Sequence, residues 1–561
     1  MNKKFLGRII FLILVLSFVV TACAPQQTEP AEPVEEEVVA PEEPAEVEEE
    51  PEAETAEPVE EEEPVAEPEE PEETTVIRAA IQVDMETFDH QGYTTIAVAN
   101  VIDYMLETLV RVTPEGEIIP GLAKDWEISE DGLEYTMYLQ EGVTFHDGTP
   151  FNSEAVLYNI NRMKDPDVQT ADRYPYDQIT EVDLVDEYTI KWYLDEPINS
   201  FLENMLQTNF AMMSPAFAPE GSDLYYAVGT QNGTVGTGPY KFDSYVSGDH
   251  VKVVKYEDYW GEEPYYDEII FYIVPDPATR ESMLLANQVD VAVLPPVTDI
   301  PALVANPDVN ITTVDSNRYL YVAFNMDNEI LQDVKVRQAI NYAVDKQAII
   351  DNIMFGQATQ RTSPIPYMFF GYCPTGEYEY NPELAREMLD EAGVAEGTEF
   401  VFFAPTGRYV QDFQVAEAIS GYLADVGIVA VPQTMEWGAY SDRVLNYPDN
   451  REDRPDMFMM GFGGTAYHAS HSMYLYETDG FFNGHNYSNP EVDDLAQRAI
   501  STADREESET LYCEIANILW EDAPMLWLHL QAYTVAHSSS ITGISGRADE
   551  KINLITAHPV E

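Results

Sequence analysis

The chain has 561 residues, of which 28 are Lys or Arg and 102 are Asp or Glu, for a net charge of −74. So few cations exclude ordinary phosphate-backbone binding and attraction to anionic headgroups, and 45% hydrophobic residues with 35 Tyr exclude wholesale disorder. Three Cys exclude a disulfide scaffold, and the length predicts roughly two to four domains.

The first elements in chain order are an address and a tether. Lys3, Lys4 and Arg8 precede an apolar run from Ile9 to Val20, broken only by Ser17. That run is too short to span a bilayer as a helix and has the form of a signal-peptide core. It ends in Val20-Thr21-Ala22-Cys23, which resembles the lipobox of bacterial lipoproteins. The resemblance implies cleavage before Cys23 and acylation of its thiol, with residues 1–22 as signal peptide. Residues 24–75 hold 23 Glu and 10 Pro with no Lys or Arg. Self-repulsion and Pro predict an extended spacer reaching on the order of 160 Å. We expect 23–75 to be a lipidated Cys on a disordered tether. The remaining residues keep a net charge of −54, which suits solubility and says little about fold.

Beyond residue 75 the patterning mixes strands and helices. Val76 to Val83 reads as a strand, and Leu133 to Leu139 alternates apolar and polar residues as a half-buried strand does. Gly148-Thr149-Pro150 is a turn, after which Ser153 is expected to cap a helix carrying Val156, Leu157, Ile160 and Met163. Val251 to Tyr256 and Ile269 to Val274 read as strands, the second stopped by Pro275. Val336, Ala339, Ile340 and Ala343 recur at helical spacing. Asn381 caps a helix with Pro382 at its first position and Gly393 past its end, burying Leu384, Ala385, Met388, Leu389 and Ala392. Residues 411 to 426 repeat that pattern and stop at Gly427. Strands alternating with helices make this an α/β protein.

Catalytic motifs do not emerge. The chain lacks a G-x-S-x-G elbow, a Walker A loop, H-E-x-x-H and C-x-x-C. His468-Ala-Ser-His471 has the i, i+3 spacing of one helical face, but no third ligand of obvious spacing accompanies it. We therefore expect no metal site and no cofactor. Gly236-x-Gly238-Pro239 is only superficially a phosphate loop, because Pro239 removes an amide donor and the surroundings are acidic. Acidic neighbours such as Glu262-Glu263 follow from abundance. Cys373 and Cys513 are free to pair or not as far as spacing tells.

One stretch, Leu122-Ala-Lys-Asp-Trp-Glu-Ile-Ser-Glu-Asp-Gly-Leu-Glu-Tyr-Thr-Met-Tyr-Leu-Gln-Glu-Gly-Val-Thr-Phe-His-Asp-Gly-Thr-Pro-Phe151, closely resembles the signature of family 5 extracellular solute-binding proteins. These are peptide-, nickel- and oligosaccharide-binding receptors of ABC importers. In the same order come Val235-Gly-Thr-Gly-Pro-Tyr240, Tyr259-Trp-Gly261, Pro275-Asp-Pro-Ala-Thr-Arg280 and Asn287-Gln-Val-Asp290. Ala323-Phe-Asn325, Val334-Lys-Val-Arg-Gln-Ala-Ile-Asn-Tyr-Ala343 and Tyr380-Asn-Pro-Glu-Leu-Ala385 follow. Gln140 departs from the Arg usual in the signature. The resemblance covers about residues 76 to 540. It implies no enzyme but a two-lobed α/β fold like that of periplasmic binding proteins of cluster C, with an extra domain. Domain I would comprise 76–115, 230–320 and 526–561, domain II 116–229, and domain III 321–525. Crossover segments at Tyr319–Asn325 and Pro524–His529 would form the hinge.

The resemblance also suggests where the solute sits. Peptide-binding relatives pair the ligand's ammonium with an Asp in a Gly-Trp-x-x-Asp-Tyr segment. Here that segment is Gly461-Phe-Gly-Gly-Thr-Ala-Tyr467, with Phe462 for Trp and Thr465 for Asp. A buried ammonium without a carboxylate costs several kcal/mol, so Glu436 or Asp456 would have to substitute. Arg408 falls near the position that holds a peptide carboxylate in dipeptide-binding relatives. Tyr93, Trp437, Tyr440, Phe462 and Tyr467 lie on stretches that approach the cleft, and Asn325 supplies a directed polar group. The expected ligand is an oligopeptide, with an oligosaccharide on aromatic platforms second. A nickel or other metal complex is supported only by His468 and His471. The expected partners are an ABC permease and, through Cys23, the outer face of the cell membrane, with no nucleic acid. The alternative role is a ligand-presenting adaptor for a membrane sensor.

Overall fold

A computed structural model of the chain describes residues 74–92, 96–113, 116–168, 170, 173–435, 437–445, 454–463, 467–478, 480 and 482–560. The leader, Cys23, nearly all of the tether, Tyr93, Glu436 and Thr465 lie outside the described residues. Among the described residues no helix is long and apolar enough to cross a membrane.

Two long strands organise the molecule. Val309–Phe324 and Met525–Ser538 run antiparallel, 16 and 14 residues long. At ~3.3 Å per residue the longer one spans about 50 Å, enough to pass through two lobes. Met525 to His537 is buried throughout, as the near-continuous apolar run MLWLHLQAYTVAH requires of a strand covered on both faces. The pairing of the two strands is regular from Val309 to Asp315, breaks, touches again at Tyr319, shifts once more, and is regular from Tyr321 to Ala323. The C-terminal segment holds the break. The Asn317 amide donates to the Ala548 carbonyl at 2.8 Å, and Arg318 pairs with Glu550 at 3.0 Å.

The long pair is the centre of an 11-stranded mixed sheet. On one side stand Val291–Val293, Val76–Ile81, Glu268–Ile273, His250–Lys255 and Tyr240–Val246. On the other stand Met457–Phe462, Phe402–Phe403 and Pro432–Gln433, while Ala358–Gln360 pairs with the second long strand. A separate four-stranded antiparallel sheet runs Ala123–Ile128, Glu134–Leu139, Thr189–Leu194, Ile179–Asp186. Its core is its own, built on Met137, Phe145, Trp192 and Phe201. The fold is two-lobed and α/β.

Local chemistry decides the element ends. The helix expected after the turn at 148–150 is Ser153–Lys164, but Asn152 is its cap. The Asn152 side chain accepts from the Ala155 amide at 3.1 Å, whereas the Ser153 hydroxyl donates to the Asp186 carbonyl. Asn152 is extended at φ −157° and so stands just outside the helix, where a cap must be. The strand expected over Val76–Val83 ends at Ile81. Asn381 caps Pro382–Glu391 through the Leu384 amide, and Gly393 follows in the left-handed region at φ +74°. Cys373 and Cys513 form a disulfide, which ties the loop after Tyr372 to the helix Arg505–Asp522.

Candidate functional site

A cavity of about 640 Å³ opens where the long strands lose register. Asp103, Glu107, Thr108, Arg111, Thr208 and Tyr259 line one side, Val314 and Asp315 of the crossover strand the back. Tyr367, Met368 and Tyr467 line the opposite side, and Ser545 to Ala548 close the floor.

The first side is a network of paired charges. Asp103 accepts from Lys551 at 2.6 Å and from the Thr208 hydroxyl at 2.7 Å. Arg547 forms two hydrogen bonds to Asp549, at 2.9 and 2.6 Å. Burial alone would push the Asp549 carboxyl up, but Arg547 and Lys551 hold it below the usual range. Glu107 differs, because its partners are neutral. It accepts from Trp260 Nε1 at 2.8 Å, the Thr237 hydroxyl at 2.9 Å and the Tyr259 hydroxyl at 3.1 Å. Burial holds its carboxyl above the usual range against these three donors. The loop that delivers Thr237 explains Gly236 and Gly238. A Cβ there would come within 2.2 Å of the Met105 carbonyl oxygen and 2.6 Å of that of Tyr104.

At the back, Asp315 accepts from the Thr359 hydroxyl at 2.9 Å and the Tyr367 hydroxyl at 3.0 Å. Burial and then Asp315 push the Tyr367 hydroxyl up to about 12.

Arg408, Trp437 and Tyr440 come together, but none of them lines the cavity. Trp437 stacks on Tyr440 with centroids 5.6 Å apart and planes 18° apart. The Arg408 guanidinium lies over Trp437 at 5.0 Å and Tyr409 at 5.2 Å. Arg408 is exposed. Tyr440 is fully enclosed, and its hydroxyl donates to the Met459 and Phe403 carbonyls. It supports Trp437 from behind and offers the cavity no surface. Phe462 forms a second cluster, stacked on His471 at 4.7 Å and edge-on to Tyr319 at 5.9 Å. Tyr409 links the two clusters by donating to the Gly461 carbonyl at 3.2 Å. Tyr467 reaches the cavity itself and is 4% exposed.

Other expected residues are engaged inside the chain. Asn325 donates to the Pro455 carbonyl at 3.2 Å and accepts from the Asp327 amide at 3.0 Å, so both ends of its amide fix a turn. Asp456 accepts from Asn328 and from the Val401 amide, each at 2.7 Å, one bond per carboxylate oxygen. His468 and His471 pack on different rings, Phe370 and Phe462. Among the described residues no three His, Cys, Asp or Glu form a metal-binding group. Burial pushes His471 down to about 4.

Glu107, Asp103, Lys551 and Arg547 were not singled out by the sequence reading. The signal for Glu107 was present but indirect. The Val235–Tyr240 and Tyr259–Gly261 motifs both converge on its carboxylate.

A further set of contacts joins the four-stranded-sheet region to the last helices. Asn199 donates to the Ile500 and Thr502 carbonyls at 2.9 and 3.0 Å, and its side-chain oxygen lies 3.2 Å from His468 Nε2. Arg505 pairs with the buried Glu203 at 2.6 Å.

Residues 117–484 match the family described as bacterial extracellular solute-binding proteins, family 5. The chain is 31% identical over 434 residues to the glutathione-binding protein GsiB of Pectobacterium atrosepticum, covering 76% of this chain and 83% of that one. It is 31% identical over 461 residues to heme-binding protein A of Haemophilus influenzae, covering 77% and 81%. The periplasmic binding protein DppA of Helicobacter pylori, solved with the peptide STSA, superposes with a TM-score of 0.71 at 25% identity. That match covers 86% of this chain and 98% of DppA.

Proposed function

The chain belongs to family 5 of the bacterial extracellular solute-binding proteins, transport receptors of ABC importers rather than enzymes, and we propose that its solute is an oligopeptide or peptide-like molecule taken into the cavity at the crossover strands. The observation that carries this is the cavity itself. Its volume of about 640 Å³ suits a short peptide, and side chains from both sides of the crossover strands line it. It carries carboxylates at Glu107 and Asp315 and guanidinium groups at Arg111 and Arg547, which suits a ligand bearing both charges. Relatives named for glutathione and a structure holding a tetrapeptide support the same class.

In this reading Trp437, Phe462 and Tyr467 supply apolar contact, Arg408 meets a carboxylate, and Tyr93 and Thr465 are further candidates for contact with the solute. Tyr440 and Asn325 hold these residues from behind. The lobes are 76–115 with 230–320 and 526–561, extended by 116–229, against 321–525. They swing about Ser316 to Arg318, where the strand pairing breaks. Lipid on Cys23 and the Glu-rich tether keep the receptor at the membrane, where it delivers solute to a permease.

The test is a melting panel on the full chain with mixed oligopeptides, glutathione, oligosaccharides and nickel with histidine. A ligand at 100 times its Kd stabilises by about 2.7 kcal/mol. Peptides are expected to raise the melting temperature. A rise with sugars alone would overturn the peptide assignment.

A further inference from the structure

Among the described residues five charged side chains line the cavity, and four of them are engaged within the chain. Asp103 holds Lys551 at 2.6 Å, and Arg547 pairs with Asp549 at 2.6 Å. Glu107 accepts from Trp260, Thr237 and Tyr259, and Asp315 from Thr359 and Tyr367. Arg111 is the exception. It stands on the side whose other cations face carboxylates, yet among the described residues it forms no ion pair. Its Nε donates to the Pro120 carbonyl at 3.1 Å, and that is its one hydrogen bond among the described residues. Nη1 and Nη2 are left to the open cavity.

The local backbone restrains this side chain. Val110–Val112 pairs antiparallel with Ile118–Pro120, so Arg111 stands opposite Ile119, which also lines the cavity. Gly121 follows the hairpin. A Cβ there would come within 3.2 Å of the Arg111 Cγ and 2.7 Å of the Thr108 carbonyl oxygen, so only glycine leaves room for the stem. A guanidinium anchored through Nε and packed along its stem has less freedom to lose when a ligand arrives.

A solute that fills the cavity takes water away from Arg111. A desolvated guanidinium without an anion is costly, and the two oxygens of a carboxylate match its two terminal nitrogens. Glu107 does not fill that role, because its carboxylate is engaged by three neutral donors. Arg408, offered above to a terminal carboxylate, does not line the cavity. We infer that Arg111 sets the specificity of the cavity by receiving an additional carboxylate of the solute. The inference rests on the peptide reading above and narrows it to peptides with an Asp or Glu side chain.

The test titrates alanine tetrapeptides carrying one Glu, at each position in turn, and the matched Gln peptides into the full chain by calorimetry. Wild type is expected to bind the best Glu peptide about tenfold more tightly than its Gln match, as a charge-assisted hydrogen bond provides. Arg111→Gln should abolish that preference and leave the Gln peptide within roughly twofold. Arg111→Lys, which keeps the charge and loses the fork, should retain part of it. Arg111 is exposed, so the melting temperatures of the free proteins should agree. No preference in wild type, or the same preference in Arg111→Gln, would overturn the proposal and leave the peptide reading standing. If no tetrapeptide binds, the peptide reading fails and glutarate decides. Saturable glutarate binding that Arg111→Gln weakens about tenfold would keep Arg111 as the receptor of a non-peptide acid. Its absence would overturn both.

Discussion

On the side of the cavity built from residues 103–259 and the C-terminal segment, Lys551 and Arg547 face Asp103 and Asp549 at 2.6 Å. Across the crossover strands, Arg361 and Arg408 lie over aromatic rings, and among the described residues neither forms an ion pair. With 102 acidic residues in the chain, scarcity does not explain the difference. The sequence places Tyr319, Trp527, Tyr409 and Trp437 beside these arginines instead. A ring stabilises a guanidinium through its face and leaves the N–H edge free. One side therefore sets its cations against carboxylates, while the other sets them against rings. In the proposed peptide reading, the ammonium would be sought at Glu107 and Asp315, which line the cavity, and the carboxylate at Arg408.

The largest expected effect comes from separating the two sides. Arg505→Ala would leave Glu203, 4% exposed, without its cation. Breaking a buried pair costs ~3–5 kcal/mol. Arg505 is about half exposed, which lowers the expectation to roughly 2 kcal/mol. If this contact holds the lobes together, solute affinity should fall about thirtyfold, and small-angle scattering should show a larger radius of gyration without solute. Unchanged scattering and affinity would mean that the contact is permanent and plays no part in closure.

Acid is expected to act next, and on both sides, since burial also holds His90 and His146 at about 4. Burial holds His471 and His529 at about 4, below the ~6.5 of an unfolded histidine. The unfolded chain then binds more protons as pH falls. The stability of the neutral rings is complete above ~6.5 and is lost between there and about 4. At pH 5 each histidine should cost on the order of 2 kcal/mol. His471→Gln should flatten the fall in melting temperature between pH 7 and pH 5, and an unaltered pH profile would count against this account.

Glu107→Leu and Arg408→Met make a matched pair. The first strands three donors, on Thr237, Tyr259 and Trp260, and should lower stability by about 2 kcal/mol. The second removes an exposed cation from a ring and should leave stability within about 0.5 kcal/mol, while weakening a carboxylate-bearing solute about tenfold. Equal melting shifts would erase the distinction between the two sides.

How much of this was legible in the sequence follows from sequence distance. Asn381, Pro382 and Gly393 act within one helix, so their roles could be read directly. Arg408, Trp437 and Tyr440 lie within about thirty residues and do come together, but patterning could not tell that Tyr440 turns its hydroxyl to the Met459 carbonyl. The same limit applies to Asn325 and Asp456, whose partners lie on neighbouring strands. Asp103 and Lys551 are 448 residues apart, and nothing local to either announces the other. Glu107 is intermediate, since two recognisable motifs surround it but neither contains it.

The smallest effect tests the seam between the sides. Tyr367 is half exposed on the far side and donates to Asp315 on the crossover strand. Tyr367→Phe keeps the ring and removes one hydrogen bond, worth about 0.5–1 kcal/mol. Thr359 still holds the other carboxylate oxygen, so the melting temperature should barely move. Asp315 would gain a free lone pair facing the cavity. A solute with an ammonium there should bind a few-fold more tightly, and one without it should not. Calorimetric titration of a peptide and of its N-acetylated form against wild type and Y367F reads that difference directly. If both forms change equally, Asp315 is part of the wall and the cationic end of the solute lies elsewhere, with Glu107 the remaining carboxylate free of a cation.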